Sequence, residues 1–252
     1  MVLLAWEKRL RERGVVVKLV DATKADVSAR RFVEAVTGLD APDDSDGAAN
    51  RLAEWIDAVS GSGLPPVVLI DEMESVVEAC EARFFDRLRG LLGRVCLVAT
   101  SRDEPDRVFA RNEKTSPLTN QMQVAWVGLL EPEGVEAAIG LGGEQLGPGD
   151  ADLMRHWCGR HSFFLQLLGS FLVDARRNGA GPQAALVELE RQAPTHLRPI
   201  RLSKEQRKAL LDAARGLPAK MGVLLNRGLV TEDGLPFGEV FARWLRGGEV
   251  GK

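Results

Sequence analysis

Apolar positions recur along this chain with two different periods, and the change between them divides it. Over residues 2–13, Val2, Leu3, Trp6 and Leu10 fall at helical spacing, charged residues fill the other faces, and Gly14 follows as a C-cap. Val15 to Val20 is then an almost unbroken apolar run, the pattern of a strand covered on both faces. The spacing predicts a short helix over 26–38, a polar loop over 41–47, and an amphipathic helix over 48–59 through Leu52, Trp55, Ile56 and Val59. A Gly/Pro break at 61–66 precedes Val67-Val68-Leu69-Ile70, a buried strand that ends at Asp71-Glu72. A helix over 81–92 leads to a second buried strand, Val95 to Ala99, which ends at Thr100-Ser101-Arg102; Gln123 to Val127 is a candidate fourth strand. Strands alternating with helices at this period predict a parallel α/β sheet.

Beyond Leu130-Glu131-Pro132 the pattern is purely helical. Helix-period faces occupy 133–139, 150–158 and 162–177, and Pro182 starts a further helix over 183–192. From 203 the order changes again. Ser203 caps a helix carrying Leu210 and Leu211, and a second helix holds Met221, Leu224 and Leu225. Residues 228–234 read as a strand and turn, and 237–245 as a last amphipathic stretch. That order is winged-helix-like. The predicted architecture is α/β: an incomplete parallel sheet over 1–128, a helical segment over 129–197, and a winged-helix-like domain over 198–252.

Composition narrows the function classes. With 45% hydrophobic and 27% charged residues among 252, the chain is an ordinary globular protein. A net charge of -3 supplies no overall basic field for nucleic acid or anionic lipid. Arg198, Arg201, Lys204, Arg207, Lys208 and Arg215 are interleaved with acids and read as a solvated face, although a local DNA surface stays open. Cys80, Cys96 and Cys158 are odd in number, far apart and without metal-ligand spacing, so they are expected to be reduced, mostly buried thiols. No apolar run approaches the roughly 20 residues that span a bilayer. Charges interrupt the apolar start at Glu7-Lys8-Arg9, so no signal peptide is expected. A cytoplasmic protein without a membrane partner is the expectation.

The chemistry sits at two strand ends. In open α/β sheets ligands bind beyond the carboxyl ends of the strands. An aspartate there can hold Mg²⁺, and a glutamate beside it can polarise an attacking water. A buried strand ending in two solvated acids gives the same residues, so this run by itself divides evenly between the two readings. About 28 residues later, the next strand ends in hydroxyl groups that can sense a γ-phosphate and an arginine that can bind phosphate oxygens. The two motifs together, in this order, favour function.

That order resembles the AAA+/STAND branch of P-loop ATPases, nearest to bacterial and archaeal STAND-type ATPases and the NACHT and NB-ARC switch modules. There a Walker B strand precedes a sensor-1 strand ending in Thr-Ser-Arg or Thr-Thr-Arg. The resemblance implies Asp71 as the Mg²⁺ residue, Glu72 as catalytic base, Thr100 or Ser101 as sensor, and Arg102 as phosphate arginine, with ATP as the nucleotide. It also matches Trp157 to Leu168 to the family's lid motif, so Gly159, His161 and Ser162 are implied nucleotide contacts. Ser162 stands where the family has proline, and is expected to cap the next helix. A metal site from His156, Cys158 and His161 is the weaker alternative, because no fourth ligand is near.

A P-loop needs Gly-x-x-x-x-Gly-Lys-[Ser/Thr], whose backbone N–H groups cradle phosphate. No such run occurs, and the terminal Gly251-Lys252 has neither strand before it nor helix after. By the family's order the loop falls immediately ahead of residue 2, so truncation is expected, with an incomplete sheet and no useful ATP affinity. Three functions are compatible with these residues: an ATP-driven switch in the intact parent, a non-catalytic interaction scaffold, or a winged-helix DNA regulator. The expected partners are a second copy or another protein, through the lid and winged helix.

Overall fold

A computed structural model describes residues 2–23, 27–115, 118–198, 200 and 202–247. Met1, Asp26, Arg201 and the Gly251-Lys252 pair lie outside the described residues. The chain divides into two compact units, Met1–Val124 and Ala125–Lys252.

The first unit is built on three parallel strands, β1 (Val17–Asp21), β2 (Val67–Asp71) and β3 (Cys96–Ala99), in the order β1-β2-β3. Val17, Val67 and Cys96 share one register level, and Val20, Ile70 and Ala99 another. Side chains alternate across a strand. Val67 and Leu69 therefore join a small cluster with Leu3 of helix α1 (Val2–Glu12), while Val68 and Ile70 enter the main core on the opposite face. This two-sided burial is why β2 reads as a continuous apolar run. β1 follows the pattern less fully: Val17 and Val20 are buried, and Lys18, Leu19 and Asp21 are half-buried.

The main core is roofed by α2 (Ala29–Thr37), α3 (Ser45–Val59), α4 (Met73–Ala79), α5 (Ala82–Leu91) and α6 (Pro105–Arg111). Local chemistry sets their ends. Ser28 accepts a hydrogen bond from the Arg31 N–H at the start of α2, and Asp44 does the same for Gly47 at the start of α3. Phe32, Phe84, Phe85 and Phe109 meet edge to face, with centroids 4.9–5.9 Å apart. α4 and α6 are not legible in the sequence, since seven residues carry barely two turns of periodicity. Gln123 to Val127 does not become a strand. Extended backbone becomes sheet only when a neighbour satisfies its N–H and C=O groups, and among the described residues nothing pairs with this segment. Val124, Trp126 and Val127 are exposed.

The second unit is helical: α7 (Pro132–Gly140), α8 (Asp150–Cys158), α9 (Ser162–Arg177), α10 (Pro182–Leu197), α11 (Lys204–Ala213), α12 (Gly222–Asn226) and α13 (Glu239–Arg246). One hydrophobic core runs through all of it, from Val135 and Trp157 to Leu210, Phe241 and Leu245. α10 continues five residues past its expected end and through Pro194. Burial of Ala193 and Leu197 offsets the backbone bond that the proline cannot donate. Ser203 closes a full capping box with Gln206. The expected strand at 228–234 reduces to a single antiparallel bridge between Val230 and Pro236. No helix among the described residues is long and apolar enough to cross a membrane.

Candidate functional site

β2 and β3 run parallel and end side by side, so the residues after Ile70 meet those after Ala99. The backbone makes the first links. The Thr100 N–H donates to the Ile70 carbonyl and the Met73 N–H to the Thr100 carbonyl, both at 2.9 Å. Side chains complete the network. The Thr100 hydroxyl donates to Asp71 Oδ1 at 2.6 Å and accepts from the Glu72 N–H at 3.1 Å. One hydroxyl thus fixes both neighbouring acidic residues.

Glu72 sits between β2 and α4 with φ 61° and ψ 64°. This left-handed conformation is costly for a residue with a Cβ, by about 1–2 kcal/mol. Its Oε1 accepts from the Arg102 guanidinium at 2.5 Å. The bond and charge of Glu72 raise the Arg102 pKa further above its usual value. Arg102 remains 77% exposed.

Two residues that sequence reasoning does not find belong here. Glu74, in the first turn of α4, accepts from the Ser101 hydroxyl at 2.9 Å and from the Arg102 N–H at 2.5 Å. Its other oxygen, Oε2, is buried without a partner. Asp21 ends β1 level with Asp71 and accepts from the Thr23 backbone and hydroxyl. Asp21 has a readable signal, an apolar strand ending in an acid. Glu74 has none, because an acid near a helix start is common for dipole reasons alone.

Gly159, His161 and Ser162 lie in the second unit. Gly159 ends α8 with φ 53°, and a Cβ there would fall 1.6 Å from the Phe237 carbonyl oxygen. His161 packs against Phe164 and Phe237, at centroid distances of 5.0 and 4.6 Å. Burial pushes its pKa down to about 4, and its Nδ1 has no partner. Ser162 does not cap α9. It is the first helical residue, and His161 holds the cap position without a side-chain bond. A cavity of about 410 Å³ opens beside this turn, lined in part by Pro132, Arg155, Gly159 and Arg160. No group of three His, Cys, Asp or Glu side chains among the described residues could hold a metal ion, which removes the His156–Cys158–His161 alternative. The Cys158 thiol is spent on the Phe164 carbonyl, and the His161 ring on its aromatic neighbours. Cys80 is also buried, whereas Cys96 is exposed.

For Mg²⁺ the strand tip offers one carboxylate, Asp71, already oriented by Thr100. Mg²⁺ commonly takes one or two carboxylates and fills its remaining positions with water and phosphate oxygens, so Asp71 fits such an ion. ATP fits less well, because no glycine-rich phosphate cradle accompanies these tips in the sequence.

No protein-family model and no curated protein matches the chain. Solved structures do. A Walker-type ATPase of Pyrococcus abyssi is similar at 14% identity and TM-score 0.55, over 94% of this chain and 85% of that one. The Aeropyrum pernix ORC1 protein, solved in complex with DNA, aligns at 18% identity and TM-score 0.49, over 86% of this chain and 61% of that one. The Aeropyrum pernix ORC2 protein, in ADPNP–ADP complexes, aligns at 15% identity and TM-score 0.47, over 96% and 72%. The likeness to the Walker-type ATPase shows that this chain shares its fold.

Proposed function

We propose that this chain is the switch portion of a nucleotide-driven ATPase of the AAA+/STAND type. The observation that carries the reading is the single hydroxyl of Thr100 bound to both Asp71 and the Glu72 backbone at adjacent strand ends. Asp71 offers an oxygen to Mg²⁺. Glu72, once free, is the base toward water, Thr100 orients both acids, and Arg102 meets phosphate oxygens. Ser101 acts as a strut, tied to Glu74. Gly159, His161 and Ser162 form the turn between α8 and α9 in the proposed lid over 129–197, and the family resemblance assigns them to the nucleotide. The order α11, α12, bridge, α13 supports a winged-helix-like domain over 198–252. ATP turnover, where a phosphate loop accompanies these parts, would be coupled to their movement and to assembly with a second copy or a protein partner.

The 252 residues by themselves hold no Gly-x-x-x-x-Gly-Lys-[Ser/Thr] run, so we expect them to bind ATP without useful affinity. Titration of the chain with labelled ATP is expected to show no micromolar binding, and micromolar binding would refute that expectation. The switch itself is tested by reading the coding sequence upstream of Met1. An in-frame phosphate loop there, in a protein whose ATP hydrolysis falls at least about a hundredfold on Glu72→Gln, supports the reading. A stop codon directly upstream supports the scaffold alternative. Salt-sensitive retardation of random duplex DNA would favour the DNA regulator.

A further inference from the structure

The sequence pattern sets a boundary near residue 198, between a helical segment over 129–197 and a C-terminal domain. A boundary that bends needs an exposed linker that few contacts cross. The described residues there do not form one. Leu197 is buried, and Ile200 and Leu202 pack against the same core that holds Trp157, Leu168 and Phe241.

The two segments also meet backbone to backbone at the turn between α8 and α9. A Cβ at Gly159 would fall 1.6 Å from the Phe237 carbonyl oxygen, and one at Gly238 would fall 2.6 Å from the Trp157 carbonyl oxygen. Backbones packed this closely have little freedom to slide, because dense interiors transmit strain and do not yield to it. Further ties radiate from the same turn. The Arg160 carbonyl accepts from the Leu130 N–H at 2.9 Å, its guanidinium donates to Glu232, and the His161 ring lies 4.6 Å from that of Phe237. Phe237 in turn stacks on Phe164 and Phe241, at 5.6 and 4.8 Å. Arg243 of α13 covers the Trp157 ring of α8 at 4.3 Å and donates to Glu190 of α10 at 2.6 Å. α13 is therefore held by α8, α9 and α10 at once.

We propose that residues 129–197 and 202–246 move as one rigid lever, keyed at the turn 159–162, with no hinge between them. The inference rests on the nucleotide-switch reading, since it states how that switch would transmit. Whatever displaces the turn displaces α13 and the Val230–Pro236 bridge by the same rotation. A partner surface on the C-terminal segment would then report the position of the turn directly, without the independent swing that a hinge at 198 would allow.

The test uses the full chain without nucleotide. Residual dipolar couplings of its backbone amides are expected to fit one alignment tensor across α8, α9, α10, α11 and α13. Separate tensors for α8–α10 and α11–α13 would overturn the lever. Hydrogen exchange gives a second reading, because a cooperative unit opens as a whole. Gly238→Ala drives a methyl group into the backbone at 157–159. It is expected to lower amide protection in α9 and α13 by the same factor, about tenfold or more. A loss confined to α13, with α9 unchanged, contradicts the proposal. Circular dichroism checks the fold, and Phe237→Leu, which keeps the backbone and removes the ring stacking, replaces Gly238→Ala if that variant does not fold, with the same two outcomes. A single tensor in a protein that proves to have no ATPase role leaves the rigid unit intact and removes only the nucleotide reading.

Discussion

Thr100 gathers three groups: the Asp71 carboxylate, the Glu72 N–H and, through its own backbone, the Met73 N–H. Thr100→Val keeps the shape of the side chain and removes the hydroxyl. It leaves Asp71 Oδ1 and the Glu72 N–H without their partner, which costs about 1–3 kcal/mol. Urea denaturation of the variant should show that loss in the first unit. A second residue-scale expectation concerns His161. Its folded pKa of about 4 lies below the ordinary 6.5, because burial disfavours the imidazolium. The unfolded chain therefore takes up the proton first as pH falls. The stabilisation is complete above pH 6.5 and is lost as pH drops toward about 4, to a total of roughly 3 kcal/mol. Stability measured between pH 7 and 4 should decline over that window, and His161→Phe should flatten it.

Element ends are the most legible features of the sequence. Ser203 is readable as an N-cap because Gln206 stands three residues on, and the structure closes that box in both directions. Ser203→Ala should cost about 1 kcal/mol of second-unit stability in thermal melts. Gly159 is a stricter case. Its positive φ and the nearby Phe237 carbonyl both exclude a Cβ, so Gly159→Ala should destabilise the second unit by more than about 2 kcal/mol. The turn at 159–162 is legible as a break between two helices, α8 and α9, but the cap expected at Ser162 falls one residue earlier, at His161. Pattern locates the break; only the backbone decides which residue enters the helix.

At the scale of the molecule, the first unit holds a main core and a smaller cluster on the other face of its sheet, the second unit holds a core of its own, and the boundary falls between Val124 and Ala125. The boundary falls in the exposed segment that alternation alone makes a candidate strand. Limited chymotrypsin digestion should cut first after Trp126, which is 39% exposed in unpaired backbone. The product fragments should each keep helical circular dichroism, since each retains its own core. Primary cleavage elsewhere would show this segment to be protected.

The sequence by itself determined β1, β2 and β3, most helices of both units, and the acidic strand end at 71–72 and the hydroxyl-and-arginine strand end at 100–102. Those features depend on local periodicity, on capping chemistry and on residue types that stay recognisable in one dimension. Tertiary structure decided the rest. Gln123 to Val127 has strand alternation, but strands exist through neighbours, and alternation carries no record of whether a neighbour is there. Glu74 belongs to the site because α4 turns its carboxylate back toward the end of β3, 28 residues away along the chain. The pairing of Glu72 with Arg102, rather than with water or an anion, spans 30 residues and depends on how two strand ends lie side by side. Contacts at that separation are set by packing, which no local pattern encodes.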